Sequence, residues 1–414
     1  MQNAAPAEDS AMNKPLVVIF TAIGLDAVGI GLIFPILPRL LEDVTGAANV
    51  APYLGVMTAL YAAMQFVCAP VLGALSDRLG RRPVLLLSLA GSAVNYVALA
   101  CAPRLWMLLA GRAVAGLTGA NLSVATAYLT DVTPEHARAR RFGLFNAVFG
   151  AGFIVGPVLG GVLGDHGLRL PFVAAAVLNA GNLLLAWFAL PESRPPRRAP
   201  RAQTRARVDL AALNPLRPLR WAFSMERLTP LTLVFFVLSA TGEVYGTCWA
   251  LWGRDVFRWN GLWVGLSLGA FGVCQALAQT FLPGPAVARL GERGAVVAGL
   301  AGAGVTAVVM AFATRGWVVF AMMPVFALGG IGVPALQALA TRLVDEQRQG
   351  QFQGVLASAV SLASVVGPLA FSTLYFVVRA RWPGAIWLSV VVIYLIAVPL
   401  VLGLRFPARR HAGA

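Results

Sequence analysis

Apolar residues in this chain come in runs of about 20, the length needed to cross a hydrocarbon core ~30 Å thick as a helix. Twelve such runs are read, at 16–38, 53–75, 83–103, 105–130, 143–164 and 170–190, then at 229–252, 262–282, 295–313, 317–341, 352–378 and 384–403. A single long hydrophilic break at 191–228 divides them into two sets of six. The pattern predicts an all-α membrane protein of twelve transmembrane helices in two six-helix halves. Its expected parts are an N-terminal extension (1–15), a first bundle (16–190), a basic linker (191–228), a second bundle (229–403) and a tail (404–414).

The short break after the second run reads Gly73-Ala-Leu-Ser-Asp77-Arg78-Leu-Gly80-Arg81-Arg82-Pro83. Two apolar helices joined by an arginine-rich turn place that turn on the cytoplasmic surface. A fainter copy, Gly284-Pro-Ala-Val-Ala-Arg289-Leu-Gly291-Glu-Arg293, follows in the second half, and at the same offset Gly156-Pro157 recurs as Gly367-Pro368. Two half-chains of one design, fused head to tail, are how secondary transporters build a rocking pair of bundles.

Composition agrees: 58% of the residues are hydrophobic, 12% are charged, and mean hydropathy is +0.76. A soluble domain carries about 25% charged residues, so lipid has to be the solvent for most of this surface. The net charge of +15 would suggest a nucleic-acid partner in a soluble chain. Here most of the 32 Lys and Arg fall on one face if the N-terminus is cytoplasmic, so the charge reports topology, with both termini inside. Cys68, Cys101, Cys248 and Cys274 lie in or at the ends of apolar runs without metal-ligand spacing and read as small buried hydrophobes. No metal site is expected, and no phosphate-binding loop of the Walker type is present in the sequence. The reading is a secondary transporter rather than an enzyme, with no bound cofactor and no obligate protein partner.

Charged groups at membrane depth cost about 2.5–3.5 kcal/mol on insertion scales and are normally retained for a job. Asp26, in the first run, and Glu243, in the seventh, are therefore the proton-coupling candidates. Arg112, in the fourth run, either reaches outward or faces a cavity and holds a carboxylate. Gln65, Asn95, Gln275 and Gln337 join Asp26 and Arg112 as substrate-pocket candidates. The fifth run carries Gly152, Gly156, Gly160 and Gly164 four residues apart, a stripe that lets another backbone approach closely in lipid. Pro157 weakens that helix midway, so the stripe reads equally as tight packing or as a sliding contact.

The segment Gly73–Arg82 resembles the signature loop of the major facilitator superfamily, with Gly73, Asp77, Arg78, Gly80, Arg81 and Arg82 as its gate residues. Gly152-x-x-x-Gly156-Pro157-x-x-Gly160-Gly161 resembles the fifth-helix motif of that superfamily's proton-coupled drug exporters. Leu25-Asp26-Ala-Val-Gly-Ile-Gly, Gln65-Phe-Val-Cys-Ala-Pro and Gly329-Gly-Ile-Gly-Val-Pro-Ala-Leu-Gln337 extend the resemblance to the twelve-helix tetracycline–proton antiporters, classes A and C especially. The resemblance implies the bacterial inner membrane and export of tetracycline, as a divalent-metal (Mg2+) chelate, in exchange for a proton. It implies that Asp26 is a required acidic group, that Arg112 is the fourth-helix arginine, and that Asp77, Arg78 and Arg82 latch the cytoplasmic side. Two departures stand out: Asn95 and Ala303 occupy positions where that family places aspartates, and Glu243 stands where class A has an uncharged residue. Export of a different antibiotic or metabolite, or a non-transporting sensor or scaffold of the same fold, are the other readings.

Overall fold

The computed structural model describes residues 14–119, 121–193, 229–331 and 349–403, and these are almost entirely helical. The first half contains α1 (Lys14–Ile33), α2 (Leu37–Thr45), α3 (Ala51–Leu79), α4 (Arg81–Cys101), α5 (Leu105–Leu117), α6 (Asn121–Asp131), α7 (Arg138–His166) and α8 (Leu170–Ala189). The second contains α9 (Thr229–Phe257), α10 (Gly261–Phe281), α11 (Pro283–Phe312), α12 (Gly316–Ala327), α13 (Gln349–Val378) and α14 (Ala385–Gly403). Among the described residues, ten spans are long and apolar enough to cross a membrane, with α5 and α6 forming one of them. The tenth and twelfth apolar runs are represented by the shorter apolar helices at Gly316–Ile331 and Ala385–Leu400. The tenth run continues into 332–348, outside the described residues, as do most of the 1–15 extension, most of the 191–228 linker and the 404–414 tail.

Two of the expected runs are broken. The first does not continue to residue 38: α1 ends at Ile33, a turn follows, and α2 starts at Leu37 with Pro38 in its first turn. The Pro35 ring cannot donate to the helical ladder, so the chain bends there. The fourth run is interrupted between Leu117 and Asn121, where Thr118 and Gly119 leave the helix. Irregular backbone at membrane depth is tolerated where protein groups satisfy it, and here the Gln65 amide donates to the Gly119 carbonyl at 2.8 Å.

Large apolar side chains point outward along the bundle: Phe188 is 82% and Leu395 68% exposed, as lipid-facing residues must be. Trp106, Trp263 and Trp317, near the first residues of α5, α10 and α12, are exposed where an aromatic ring can sit at a membrane–water interface. The largest buried core draws on both halves, joining Leu37, Leu40 and Leu41 of α2 to Trp249, Trp252 and Trp387 of the second half. Smaller cores lie inside each half, one around Tyr128 and Phe145 and another around Phe235 and Phe352.

Candidate functional site

The two halves are sealed at one end. On that side the Arg254 Nη2 donates to both Glu42 carboxylate oxygens, at 2.7 and 2.9 Å. The Asp165 carboxylate accepts the backbone N–H groups of Gly261 and Leu262, both at 3.0 Å, so the last turn of α7 holds the first turn of α10. The Arg379 guanidinium is shared between Asp255 and the Ala48 carbonyl.

At the opposite end, which carries the Asp77–Arg82 turn, α7 and α10 separate around a cavity of about 730 Å3. It reaches from Gly143 and Thr280 at that end inward to Phe34, Gly246 and Ala250. Those three residues also border a second, deeper cavity of about 340 Å3 between the halves.

The deeper cavity gathers most of the polar groups singled out in the sequence: Asp26, Gln65, Asn95, Arg112 and Glu243 all line it. Asp26 is only 6% exposed and accepts a hydrogen bond from the Asn121 amide at 3.2 Å. Asn121 opens α6 just after the break in the fourth run, so that interruption is what turns the amide toward the acid. It also donates to the Ser92 hydroxyl at 3.4 Å. Arg112 does not reach outward: its guanidinium carbon lies 5.2 Å from the centre of the Tyr61 ring, a cation–π contact, and among the described residues it has no carboxylate partner. Its Nε and the Asn95 Oδ1 are buried without hydrogen-bond partners among the described residues. Glu243 comes from the other half, on α9, and accepts from the Ser364 hydroxyl of α13 at 2.6 Å. Gly367 makes room for it: a Cβ there would stand 2.9 Å from the Glu243 Cβ.

The remaining candidates are placed otherwise. Gln65 borders the cavity, but one of its amide hydrogens is engaged by Gly119. Gln275 lies outside the deeper cavity and lines the larger one instead. Gln337 falls outside the described residues. Asn121, Ser364 and Tyr61 complete the deeper site. Asn121 is an amide inside the fourth apolar run, a signal the sequence does carry, while Ser364 and Tyr61 have none beyond an apolar helix.

The turn between α3 and α4 is held inside the first half. Gly80 has φ +104°, a backbone region that side chains disfavour, and a Cβ there would meet the Glu192 carboxylate. That carboxylate accepts the N–H groups of Arg81 and Arg82, at 2.8 and 3.1 Å, at the start of α4. The buried Arg81 guanidinium pairs with Asp77 at 2.6 Å and Asp131 at 3.1 Å and donates to the Ser76 hydroxyl at 2.7 Å. Arg82 donates to the Trp187 carbonyl, Arg78 is exposed, and Gly73 has open space where a Cβ would project. Glu192 and Asp131 are the partners that sequence order concealed, because they come from distant segments.

The glycine stripe of α7 lies against α1. A Cβ on Gly152, Gly156 or Gly160 would come within 2.6 Å of Ala27 Cβ, 2.7 Å of the Val28 carbonyl oxygen or 2.1 Å of the Leu32 carbonyl oxygen. Gly161 and the Pro157 carbonyl face the other half, while the Pro157 ring lies against Gly31 of α1: a Cβ on Gly161 would strike the Gly261 carbonyl oxygen at 2.2 Å, and one on Gly265 would strike that of Pro157 at 2.2 Å. One helix thus adheres to α1 on one face and forms the seam with α10 on another.

The arrangement is a two-half bundle closed at one end, with the buried Asp26 of one half and the partly exposed Glu243 of the other around a central cavity. The family model described as Major Facilitator Superfamily matches residues 19–269 and 231–414. The chain is 49% identical over 387 residues to the tetracycline resistance protein of class C from Escherichia coli, covering 94% of this chain and 96% of that protein. It is 44% identical to the class G protein from Vibrio anguillarum, over 94% of this chain and 98% of that one. Among solved structures, the human organic anion transporter MFSD10 superposes with a TM-score of 0.68 at 25% identity, over 96% of this chain and 100% of that one. The peptide transporter POT matches in fold, with a TM-score of 0.74 at 15% identity over 94% and 95% of the two chains. The chain belongs to the major facilitator superfamily of secondary transporters and, within it, to the family of the tetracycline resistance proteins.

Proposed function

We propose that this protein exports tetracycline from the cytoplasm, as a divalent-metal chelate and in exchange for a proton, by alternating access across the bacterial inner membrane. The proposal takes the bundle as twelve-spanning with both termini cytoplasmic, since Arg81, Arg82, Arg138, Arg140 and Arg141 then lie on the inner side. On that orientation the larger cavity opens to the cytoplasm and the Glu42–Arg254 end is the closed outer gate.

The observation that carries the reading is that Asp26 and Glu243, one acid from each half, line the same buried cavity beside Arg112. A cationic chelate and a proton can compete for such carboxylates, which is what obligatory exchange requires. Arg112 is available to an anionic oxygen of the drug. When the halves rock, the charges of Asp77, Arg78 and Arg82 pair across the inner seam and hold it shut, while the stripe at Gly152, Gly156, Pro157, Gly160 and Gly161 sets how closely α7 slides. The metal belongs to the cargo, and the proton gradient supplies the energy.

Export of a different antibiotic is the second reading, favoured by Asn95 and Ala303, where acids were expected. Inverted membrane vesicles under an imposed pH gradient separate the two. Tetracycline uptake that rises with magnesium supports the first reading, and absent tetracycline uptake beside transport of another antibiotic supports the second.

A further inference from the structure

At the sealed end a further cavity, of about 670 Å3, opens beside the Glu42–Arg254 pair and has Asn49, Arg254, Arg258, Trp259 and Arg379 in its wall. That wall carries three arginines against one acid, Asp255. The acid is already engaged: it accepts from the Tyr375 hydroxyl at 2.7 Å and from the Arg379 Nε and Nη2 at 2.6 and 2.8 Å. Arg379 spends its Nη1 on the neutral Ala48 carbonyl at 3.0 Å, and Arg254 meets Glu42 through Nη2 alone. The exposed Arg258 side chain has no hydrogen-bond or carboxylate partner among the described residues.

Arg258 also stands where its backbone is disfavoured. Its φ is +59°, the one positive φ outside glycine among the described residues. It directly follows α9, where its N–H bonds to the Arg254 carbonyl at 3.1 Å and the Trp259 N–H bonds to the Gly253 carbonyl at 3.3 Å. That is the helix stop whose left-handed residue is usually glycine. The buried Trp259 ring packs back on Gly253, where a Cβ would stand 2.6 Å from it, so the stop does not need the arginine side chain. A bulky residue kept in such a backbone points to a job for its side chain. Asn49 approaches from the other half, in the link between α2 and α3. Its Oδ1 accepts the Ala51 N–H at 3.3 Å, and its amide hydrogens have no acceptor among the described residues.

We propose that this cavity binds a phosphate-type oxyanion, held by Arg258, Arg379 and the Asn49 amide. The guanidinium fork matches the oxygens of a phosphate group, and charge-assisted hydrogen bonds are the strong ones. Asn49 belongs to one half and both arginines to the other, so the site is complete only while this end is sealed, and the anion favours the sealed form. Exposed Trp263 and Trp382, in the segments that flank the cavity, set this end at the level of a membrane interface. The phosphate of a lipid headgroup can therefore reach the site as readily as a dissolved one. The proposal does not depend on the identity of the exported molecule.

The test uses the purified full-length protein in a neutral detergent, titrated with radiolabelled inorganic phosphate and, separately, with radiolabelled dihexanoyl phosphatidylglycerol. Saturable binding is expected, and the probe that binds more tightly names the source of the phosphate. Arg258→Gly suits the helix stop, so it should keep or raise the unfolding temperature while weakening binding at least about ten-fold, the worth of one hydrogen bond to a charged group. Asn49→Asp retains the acceptor for the Ala51 N–H and replaces the donor by a repelling oxygen, so it should weaken binding as much. No saturable binding of either probe, or native affinity in either variant, overturns the site. With the four native cysteines replaced, Thr58→Cys on the deeper cavity reports opening of the sealed end in proteoliposomes. At ten times its dissociation constant the bound probe should slow labelling from that side about ten-fold. Unchanged labelling overturns the link between the anion and the sealed form.

Discussion

The Glu42 carboxylate of α2 holds the Arg254 guanidinium of α9 through two contacts, at 2.7 and 2.9 Å, and so ties the two halves at the end away from Asp77. Partly exposed pairs of this kind are worth about 0.2–1 kcal/mol. Glu42→Gln is therefore expected to leave the fold intact and move the balance toward the outward-open form by up to about five-fold. Thiol labelling from the outer side of a cysteine at position 58, on the deeper cavity, measures it. Unchanged outer labelling would show that the other seam contacts suffice alone.

At the other end, Asp77→Asn removes an exposed acid whose buried partner, Arg81, keeps its pair with Asp131, so membrane insertion and folding should survive. Export should fall severely, because the turn loses a charge needed to close the inner seam. Cells expressing the variant at native level and still clearing the drug normally would remove that turn from the gating account.

Glu243→Gln keeps nearly the same shape and discards only the titratable proton. Ser364 can still donate to the amide oxygen, so packing around α9 and α13 should hold. Downhill drug exchange is expected to persist and uphill export driven by a pH gradient to stop. Native uphill export in this variant, with loss in Asp26→Asn, assigns the proton to Asp26 alone.

Gly160→Leu places a side chain where even a Cβ would stand 2.1 Å from the Leu32 carbonyl oxygen. Backbone cannot yield as a flexible side chain can, and overpacking costs about 1–3 kcal/mol. A lower unfolding temperature in detergent and reduced yield are expected. By contrast, substitution at Gly143, which has open space on the larger cavity, should change neither.

The sequence by itself determined the solvent, the apolar spans and the repeat. Hydrophobic run length answers to bilayer thickness alone, and the Gly-Pro pairs repeat in register because both halves build the same helix contact. It also marked Asp26, Glu243 and Arg112, since a charge among apolar neighbours is legible wherever the chain goes. Only the tertiary structure decided that an acid from each half faces one cavity, that Arg112 covers Tyr61, and that Gln275 lines the larger cavity instead. It alone paired Arg81 with Asp131 and set Glu192 beneath the α4 N-terminus. Those relationships join residues 50 to more than 200 positions apart, as in Arg81–Asp131 and Glu42–Arg254. Helical periodicity records only neighbours three or four residues away, so which face of one span meets which face of another is fixed by packing between spans.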